Sequence, residues 1–387
     1  MTELEALFCL SQVSHFTAKH VKEAAEHRFS LIQLAQDPES YRREWPNLIT
    51  DHFVNALEEA KREIDFAAIQ KVCESQNIRI LTYQDVSYPK NLKQIYDPPI
   101  ILYIKGTIFP EDETALAIVG SRHASPYGMR VAHRFAYELS ECGMTIVSGL
   151  ARGVDAEAHR GTLDARGRTI AVLGCGVDVV YPKENKKLYE QIAESGALIS
   201  EFPLGAPPMA YHFPRRNRII AGLSLGVLVV EAHSRSGSLI TASLSAEEGR
   251  EVYVVPGPID SLNSKGTNRL IQEGAKMVLG SQDIIEDLRL VLKDLTMESA
   301  GGDVTIKDNS NESTAIAIEV DALSEDEKVI LNLFQEDLPL TIDELLSISQ
   351  FSFQQLNSLL IQLEIKEKIK KKPGGFYHVL WGVAKDL

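Results

Sequence analysis

The chain has 387 residues and carries 40 Lys and Arg against 54 Asp and Glu, a net charge of −14. Its length exceeds one ordinary hydrophobic core, so two or three domains are expected. A hydrophobic share of 44% with 24% charged residues excludes a disordered, collagen-like or coiled-coil chain, and no apolar run approaches the ~20 residues of a membrane helix.

The N-terminal MTELEALFCL carries acids where a signal peptide carries positive charge, which points to a cytoplasmic protein. Apolar residues then recur at helical spacing, first in Leu4, Leu7, Phe8 and Leu10 and later in Phe53, Leu57, Ile64 and Ile69. Asp37-Pro38 and Trp45-Pro46 separate short helices, so residues 1–80 read as a helical module. Past Tyr88-Pro89 and Pro98-Pro99 the period changes. ALAIVG (115–120), TIVSG (145–149), TIAVLG (169–174), ALISE (197–201), GVLVVEA (226–232) and EVYVVPG (251–257) are short, β-branched and apolar on both faces. Strands buried in a parallel sheet have that pattern. Amphipathic segments at 127–142, 186–195 and 239–248 alternate with them, predicting a doubly wound, mostly parallel α/β sheet over 81–295. The Ser-, Asn-, Gly- and acid-rich stretch 296–320 cannot bury a core and reads as a linker. Residues 321–387 give helical patterns at 324–336, 341–348 and 352–367, followed by KIKKKPGGFYHVL. Three helices and a Gly-Gly hairpin suggest a winged helix.

Charge is unevenly spread. Residues 281–330 hold four basic and thirteen acidic residues, whereas Phe202 to Val230 contains Arg215, Arg216 and Arg218 and no acid. The total of −14 therefore says little about any one surface. Cys9, Cys73, Cys142 and Cys175 lie far apart without a CxxC pair, so neither a disulfide framework nor a metal site is expected.

Anion-binding groups recur where strands end. Gly120-Ser121-Arg122 closes the strand at 115–120 ahead of a helix start at Ser125-Pro126, offering backbone N–H groups and a guanidinium to a phosphate. The spacing is not GxGxxG, so no dinucleotide cofactor is expected. In SGLARGVDAEAH (148–159), Gly149 and Gly153 permit close approach and Arg152 reaches an anion. There Asp155 reads as an N-cap, with catalysis the lesser alternative, and His159 as a structural histidine rather than a base. Lys183 of YPKEN is either a sheet-edge contact or a solvated lysine. HFPRRNRIIAG (212–222) combines Arg215, Arg216 and Arg218 with the amide of Asn217 and the ring of Phe213, a set suited to phosphate, base edge and stacking. In EAHSRSGSLITA, Ser236, Gly237, Ser238 and Thr241 form a second phosphate cradle at a helix start. With no Ser-His-Asp constellation at readable spacing, no catalytic residue is assigned. One small phosphate needs only one or two such places, so the continuous row suits single-stranded nucleic acid.

Seven blocks, GSR (120–122), SGLARGVDAEAH (148–159), GVDVVYPKEN (176–185), ISEFPLG (199–205), FPRRNRIIAGLS (213–224), SGSLITA (236–242) and VPGPIDSLNSKGTNRLIQEGA (255–275), resemble in order the motifs of the DprA/Smf family of DNA-processing proteins. The resemblance covers roughly residues 80–290. It implies an extended Rossmann domain flanked by an N-terminal domain similar to a sterile alpha motif and a C-terminal winged helix. It also implies a non-enzymatic, sequence-independent single-stranded DNA binder that protects incoming DNA in natural transformation and loads RecA. Carried over by residue, DNA contacts fall on Arg122, on Phe213 with Arg215, Asn217 and Arg218, on the 236–238 turn and on Lys183. A homodimer is implied near 268–280, where Leu270, Ile271, Met277 and Leu279 supply an apolar patch. The winged-helix region departs from a duplex binder, with 7 basic against 10 acidic residues from Leu323 to Leu387. The rival reading is a nucleotide phosphoribohydrolase similar to the Lonely-guy enzymes. Their catalytic Glu, three residues past the Thr of a PGGxGT turn, corresponds to Leu244 here.

Overall fold

The computed structural model describes residues 1–288 and, beyond them, 325–334, 340–341, 345–346, 349, 351, 356, 359–360, 363, 368–372 and 376–379. The expected linker at 296–320 lies outside these residues. The chain divides into two compact units, Met1–Asp303 and Val304–Leu387.

Five helices open the first unit: α1 (Glu3–Ser11), α2 (Ala18–His27), α3 (Leu31–Gln36), α4 (Asp51–Glu63) and α5 (Phe66–Gln76). Small polar residues start them. Thr2 Oγ1 accepts from the Glu5 N–H while Glu5 Oε2 accepts from the Thr2 N–H, a capping box. Ser30, Thr50 and Asp65 accept likewise at the heads of α3, α4 and α5. Phe8, Leu7 and Phe53 of these helices share one apolar cluster with Ile101, Tyr103 and Leu198 of the sheet.

The sheet has nine strands: β1 (Ile78–Thr82), β2 (Ile101–Gly106), β3 (Ala115–Val119), β4 (Thr145–Ser148), β5 (Thr169–Val172), β6 (Ala197–Ser200), β7 (Gly226–Val229), β8 (Glu251–Val254) and β9 (Lys276–Met277). Their order is β1-β2-β6-β5-β4-β3-β7-β8-β9. Pairing is parallel from β6 to β9, with Ala117 opposite Val227 at the β3–β7 step, and antiparallel at β1–β2 and β2–β6. The six expected strands are β3 to β8, while β1 and β2 on one side and β9 on the other extend the sheet beyond what the sequence pattern revealed. Asn77, at φ 53, ends α5 and turns the chain into β1.

Helices α6 (Lys90–Lys93), α7 (Pro126–Glu141), α8 (Val154–Asp164), α9 (Lys186–Ser195), α10 (His212–Leu223), α11 (Gly237–Glu247) and α12 (Lys265–Gln272) connect or follow the strands. Alternate residues of β3 serve opposite faces. Ala115, Ala117 and Val119 pack with Ile219 and Ile220 of α10, and Leu116 and Ile118 pack with Val131 and Phe135 of α7. Both faces are thus covered, as a doubly wound sheet requires.

In the second unit the helix Glu325–Leu333 accompanies a three-stranded antiparallel sheet of order β10-β12-β11, built from β10 (Leu340–Thr341), β11 (Ile369–Lys372) and β12 (Phe376–Val379). Ile330, Phe334, Leu360, Ile369 and Tyr377 form its core.

Candidate nucleic-acid interface

After β3 the chain winds outward through β4, β5 and β6 and returns to lay β7 against the other side of β3. That reversal opens a crevice at the carboxyl ends of β3 and β7, where open α/β sheets take their ligands. The Ser121 N–H donates to the Glu231 carbonyl at 2.7 Å, clamping the two strand ends together. A cleft of about 580 Å³ lies above them and gathers Gly120, Ser121, Arg122, Phe213, Arg216, Asn217, Ser236, Gly237, Ser238 and Thr241 from the expected set. Gly149 and Arg152 line a smaller neighbouring pocket that shares Arg122 and Phe213.

Gly153 heads α8 at φ 72, and a Cβ there would stand 2.3 Å from the Ser121 carbonyl oxygen. Close packing of this turn on the Gly120–Arg122 loop therefore needs glycine. Leu150, fully buried, sits in the left-handed region at φ 54, and Asn185 Nδ2 donates to its carbonyl at 3.0 Å. Such a conformation persists only where the surroundings over-determine it.

The cleft's charges fall into two sets. Arg122 is exposed, makes no ion pair among the described residues, and holds its guanidinium 5.2 Å from the centre of the Phe213 ring. Arg235 is exposed on the cleft wall, also without an ion pair among the described residues. Lys183 is exposed on a short turn and lines neither pocket. The other arginines are engaged. Arg152 pairs with Glu184, and Arg215 reaches Glu201 at 3.0 Å. Arg218, its side chain 12% exposed, lies between Glu201 at 2.8 Å and Asp97 at 3.1 Å. Arg215 and Arg218 line a separate pocket beside Glu201 and Asp97, away from the cleft.

Arg216 is 3% exposed. It donates to the carbonyls of Gly149, at 2.9 Å, and Val172, and its Nε donates to Asn217 Oδ1 at 3.2 Å. Asn217 Nδ2 in turn donates to the Gly237 carbonyl at 3.3 Å. One buried pair thus ties the ends of β4 and β5 to the start of α11. Burial lowers the Arg216 pKa to about 10, which leaves it cationic at neutral pH. Asp155 lies buried beneath the cleft, and burial raises its pKa against the pull of Arg216. It is not the N-cap expected from sequence: Gly153 holds that position, and the Asp155 carboxylate accepts from the Ala151 N–H at 3.4 Å. His159 is fully buried, with Nδ1 2.6 Å from Thr169 Oγ1. The Thr169 hydroxyl donates to the Ile146 carbonyl, so the imidazole Nδ1–H is the donor to it. Burial, reinforced by Arg216, lowers the His159 pKa to about 3.

At the head of α11, Ser236 Oγ accepts from the Ser238 N–H at 3.4 Å and lies 2.8 Å from Ser238 Oγ. The first N–H groups of a helix have no partner inside it and carry its positive dipole end, and here they border Arg122 and Arg235. Phe213 rests on the Gly174 backbone, where a Cβ would meet its ring at 2.7 Å. Tyr181 stands 5.6 Å from it at 41°. Sequence reasoning passed over Tyr181, His123, His233 and Arg235, all cleft-lining. Arg235 carried a signal, an arginine just ahead of the SGS helix start. Tyr181 sits two residues from Lys183 in a block read only for its lysine. Of the apolar patch, Met277 and Leu279 are exposed on and beyond edge strand β9, while Leu270 and Ile271 are half-buried. Among the described residues no cluster of His, Cys, Asp and Glu could hold a metal ion, and no helix is long and apolar enough to cross a membrane.

Comparison with known proteins matches residues 79–289 to the family model for DNA recombination-mediator protein A and residues 319–375 to the DprA winged helix domain. Protein Smf of Escherichia coli (strain K12) is 46% identical over 57% of this chain and 59% of its own length. Protein Smf of Synechocystis is 36% identical over 79% of this chain and 81% of its own, and DNA processing protein DprA of Streptococcus pneumoniae 44% over 58% and 79%. The chain therefore spans 59% of the length of the Escherichia coli relative and about four fifths of the other two. The X-ray structure of Streptococcus pneumoniae DprA aligns with a TM-score of 0.65 at 38% identity, covering 74% of this chain and 98% of that one. DNA processing protein A of Helicobacter pylori, solved to describe its single-stranded DNA binding mode, aligns at 0.50 and 33% identity, covering 56% and 96%. A doubly wound sheet with its crevice at the β3–β7 reversal, a winged-helix match beyond it and a family model spanning more than half the sequence agree: this chain belongs to the DNA recombination-mediator protein A family, the DprA/Smf proteins.

Proposed function

We propose that the cleft at the ends of β3 and β7 binds single-stranded DNA without regard to sequence, as a non-enzymatic step of DNA processing. The observation that carries this reading is the adjacency of exposed cations, an open helix start and an aromatic pair in one cleft: Arg122 and Arg235, the 236–238 turn, and Phe213 with Tyr181. Cations and N–H groups follow a phosphate backbone, and an aromatic face accepts any base. Arg122, Arg235 and the α11 amides contact phosphate, and Phe213 and Tyr181 stack. Arg216 and Asn217 position these groups from beneath. Arg215, Arg218, Arg152 and Lys183 lie outside the main cleft and serve, at most, a longer strand path.

A nucleotide hydrolase is less well supported. Leu244 stands where that chemistry wants a carboxylate, and Glu231, 5% exposed, is engaged with Ser125. By kinship with the family, the strand is incoming DNA in natural transformation and the receiving partner is RecA, in the cytoplasm. A homodimer through the β9 edge accounts for exposed Met277 and Leu279. The same kinship divides the chain into a helical domain at 1–80, a DNA-binding domain at 81–295, a linker at 296–320 and a winged helix at 321–387.

Anisotropy titrations with labelled oligonucleotides of mixed sequence test the reading. Single strands bind more tightly than the matched duplex, with little difference among sequences. A preference for duplex, or release of base from nucleoside monophosphates, overturns it.

A further inference from the structure

The clamped strands β3 and β7 run on into α7 and α11, and of these two helix starts the cleft is lined by that of α11. At the head of α11 the turn carries serines and glycine and no acid. At the head of α7 the place of a ligand anion is taken by the protein itself. Glu231, 5% exposed at the end of β7, accepts from the Ser125 N–H at 2.8 Å through one carboxylate oxygen and from the Ser125 hydroxyl at 2.6 Å through the other. Asn263 Nδ2 lies 3.3 Å from the same carboxylate and donates to the His123 carbonyl at 3.1 Å. The Glu231 carbonyl accepts from the Ser121 N–H at 2.7 Å. The loop 121–125, which carries Arg122 and His123, is therefore held at both ends by one buried residue and steadied between them by Asn263. Glu231 does not line the cleft.

We propose that Glu231 is a positioning residue of the DNA cleft. Its carboxylate stands in for a phosphate at the start of α7, fixes the loop so that Arg122 stands beside the Phe213 ring, and leaves the α11 amides as the open anion site. The inference rests on the single-strand reading above. A negative charge at a helix N-terminus is favourable, and the Ser125 N–H, the Ser125 hydroxyl and Asn263 Nδ2 all reach the carboxylate where it lies. Its second consequence is exclusion: a phosphate cannot occupy a place already holding a carboxylate, so the strand passes on the α11 side.

The sign of one substitution separates this role from its alternatives. A carboxylate that merely repelled DNA would, on Glu231→Gln, raise single-strand affinity. A residue that holds Arg122 lowers it. Glu231→Gln keeps the shape but leaves one acceptor oxygen where the carboxylate offered two, so loop 121–125 loosens. Full-length protein is titrated with a labelled mixed-sequence single strand across a salt series, well below the melting temperature of every variant. Glu231→Gln weakens binding about tenfold, the size of one charge-assisted hydrogen bond. It also flattens the dependence of log affinity on log salt by about 0.7, the value of one phosphate contact on a single strand. Arg122→Ala does the same, and the double variant is no weaker than either single one, because both remove one contact. A destabilisation that left the loop in place would not change the salt slope.

If Arg122→Ala binds like the wild type, the single-strand reading of this cleft fails. If Arg122→Ala weakens binding and Glu231→Gln does not, or strengthens it, the positioning role is overturned and the DNA reading stands. Additive losses in the double variant also overturn it. Should Glu231→Gln fail to fold, Asn263→Ala decides: it removes the bonds to Glu231 and the His123 carbonyl and lowers both affinity and slope, and unchanged values contradict the proposal.

Discussion

Two sets of arginines lie near the carboxyl edge of this sheet, and they differ in exposure and in partners. Arg122 and Arg235 are single residues in loops after β3 and β7, exposed and without ion pairs among the described residues. Arg215, Arg216 and Arg218 form the densest basic run of the domain, yet Glu201 and Asp97 hold two of them and backbone carbonyls the third. Dense basic sequence is therefore not the same as available positive charge. The internal carboxylate of Glu201, with a side chain 5% exposed, neutralises Arg218, itself 12% exposed, where solvent cannot screen the pair well. A lone arginine beside an aromatic ring keeps its charge for a ligand.

The largest expected effect falls on the engaged set. Arg216→Ala leaves the Gly149 and Val172 carbonyls without their donor and Asp155 buried without its neighbouring cation, a loss of about 3–5 kcal/mol of stability. Denaturant unfolding followed by circular dichroism measures it, and a loss below about 1 kcal/mol would show that the pair does not hold the strand ends. Phe213→Ala comes next and acts on binding. It weakens single-strand affinity by about 1–3 kcal/mol whatever the sequence, and isothermal titration with homopolymers of different base checks that breadth.

His159 gives a smaller, pH-dependent effect. Its folded pKa is about 3 against an ordinary 6.5, so between those values the unfolded chain binds a proton that the folded one refuses. Its contribution to stability is full above pH 6.5 and is lost as pH falls towards 3. In His159→Gln, thermal melts from pH 7 to 4.5 show a flatter decline than in the wild type, and an unchanged slope would remove His159 from the account. The smallest effect belongs to the exposed member of the arginine run. Arg215→Ala alters single-strand affinity by less than about fivefold, because what it loses is a solvent-facing pair with Glu201.

The contrast between the arginine sets also marks how far sequence carries. Strands β3 to β8 were legible because burial on both faces demands unbroken apolar, β-branched residues. Edge strands β1 and β9 were not, because Arg79 in β1 and Lys276 in β9 face solvent and interrupt the pattern. At the cleft, GSR and SGS were legible because strand-to-helix turns concentrate anion-binding groups. The engagement of Arg218 was not, because its partner Asp97 lies 121 residues away in sequence and meets it only through the topology that brings β2 beside β6. Asp155 resembled an N-cap because Asp often fills that position, but the tight turn at Gly153 already occupied it. Tyr181 was hidden because nothing local marks a tyrosine as the neighbour of a ring 32 residues on.

In the proposed function the exposed arginines of the cleft, rather than the basic run, neutralise the strand. The direct test is the salt dependence of single-strand affinity in the wild type, Arg122→Ala and Arg215→Ala, measured on full-length protein. Arg122→Ala is expected to reduce the slope of log affinity against log salt by about 0.7 while Arg215→Ala leaves it unchanged. A slope that falls in Arg215→Ala and stays at the wild-type value in Arg122→Ala would contradict it.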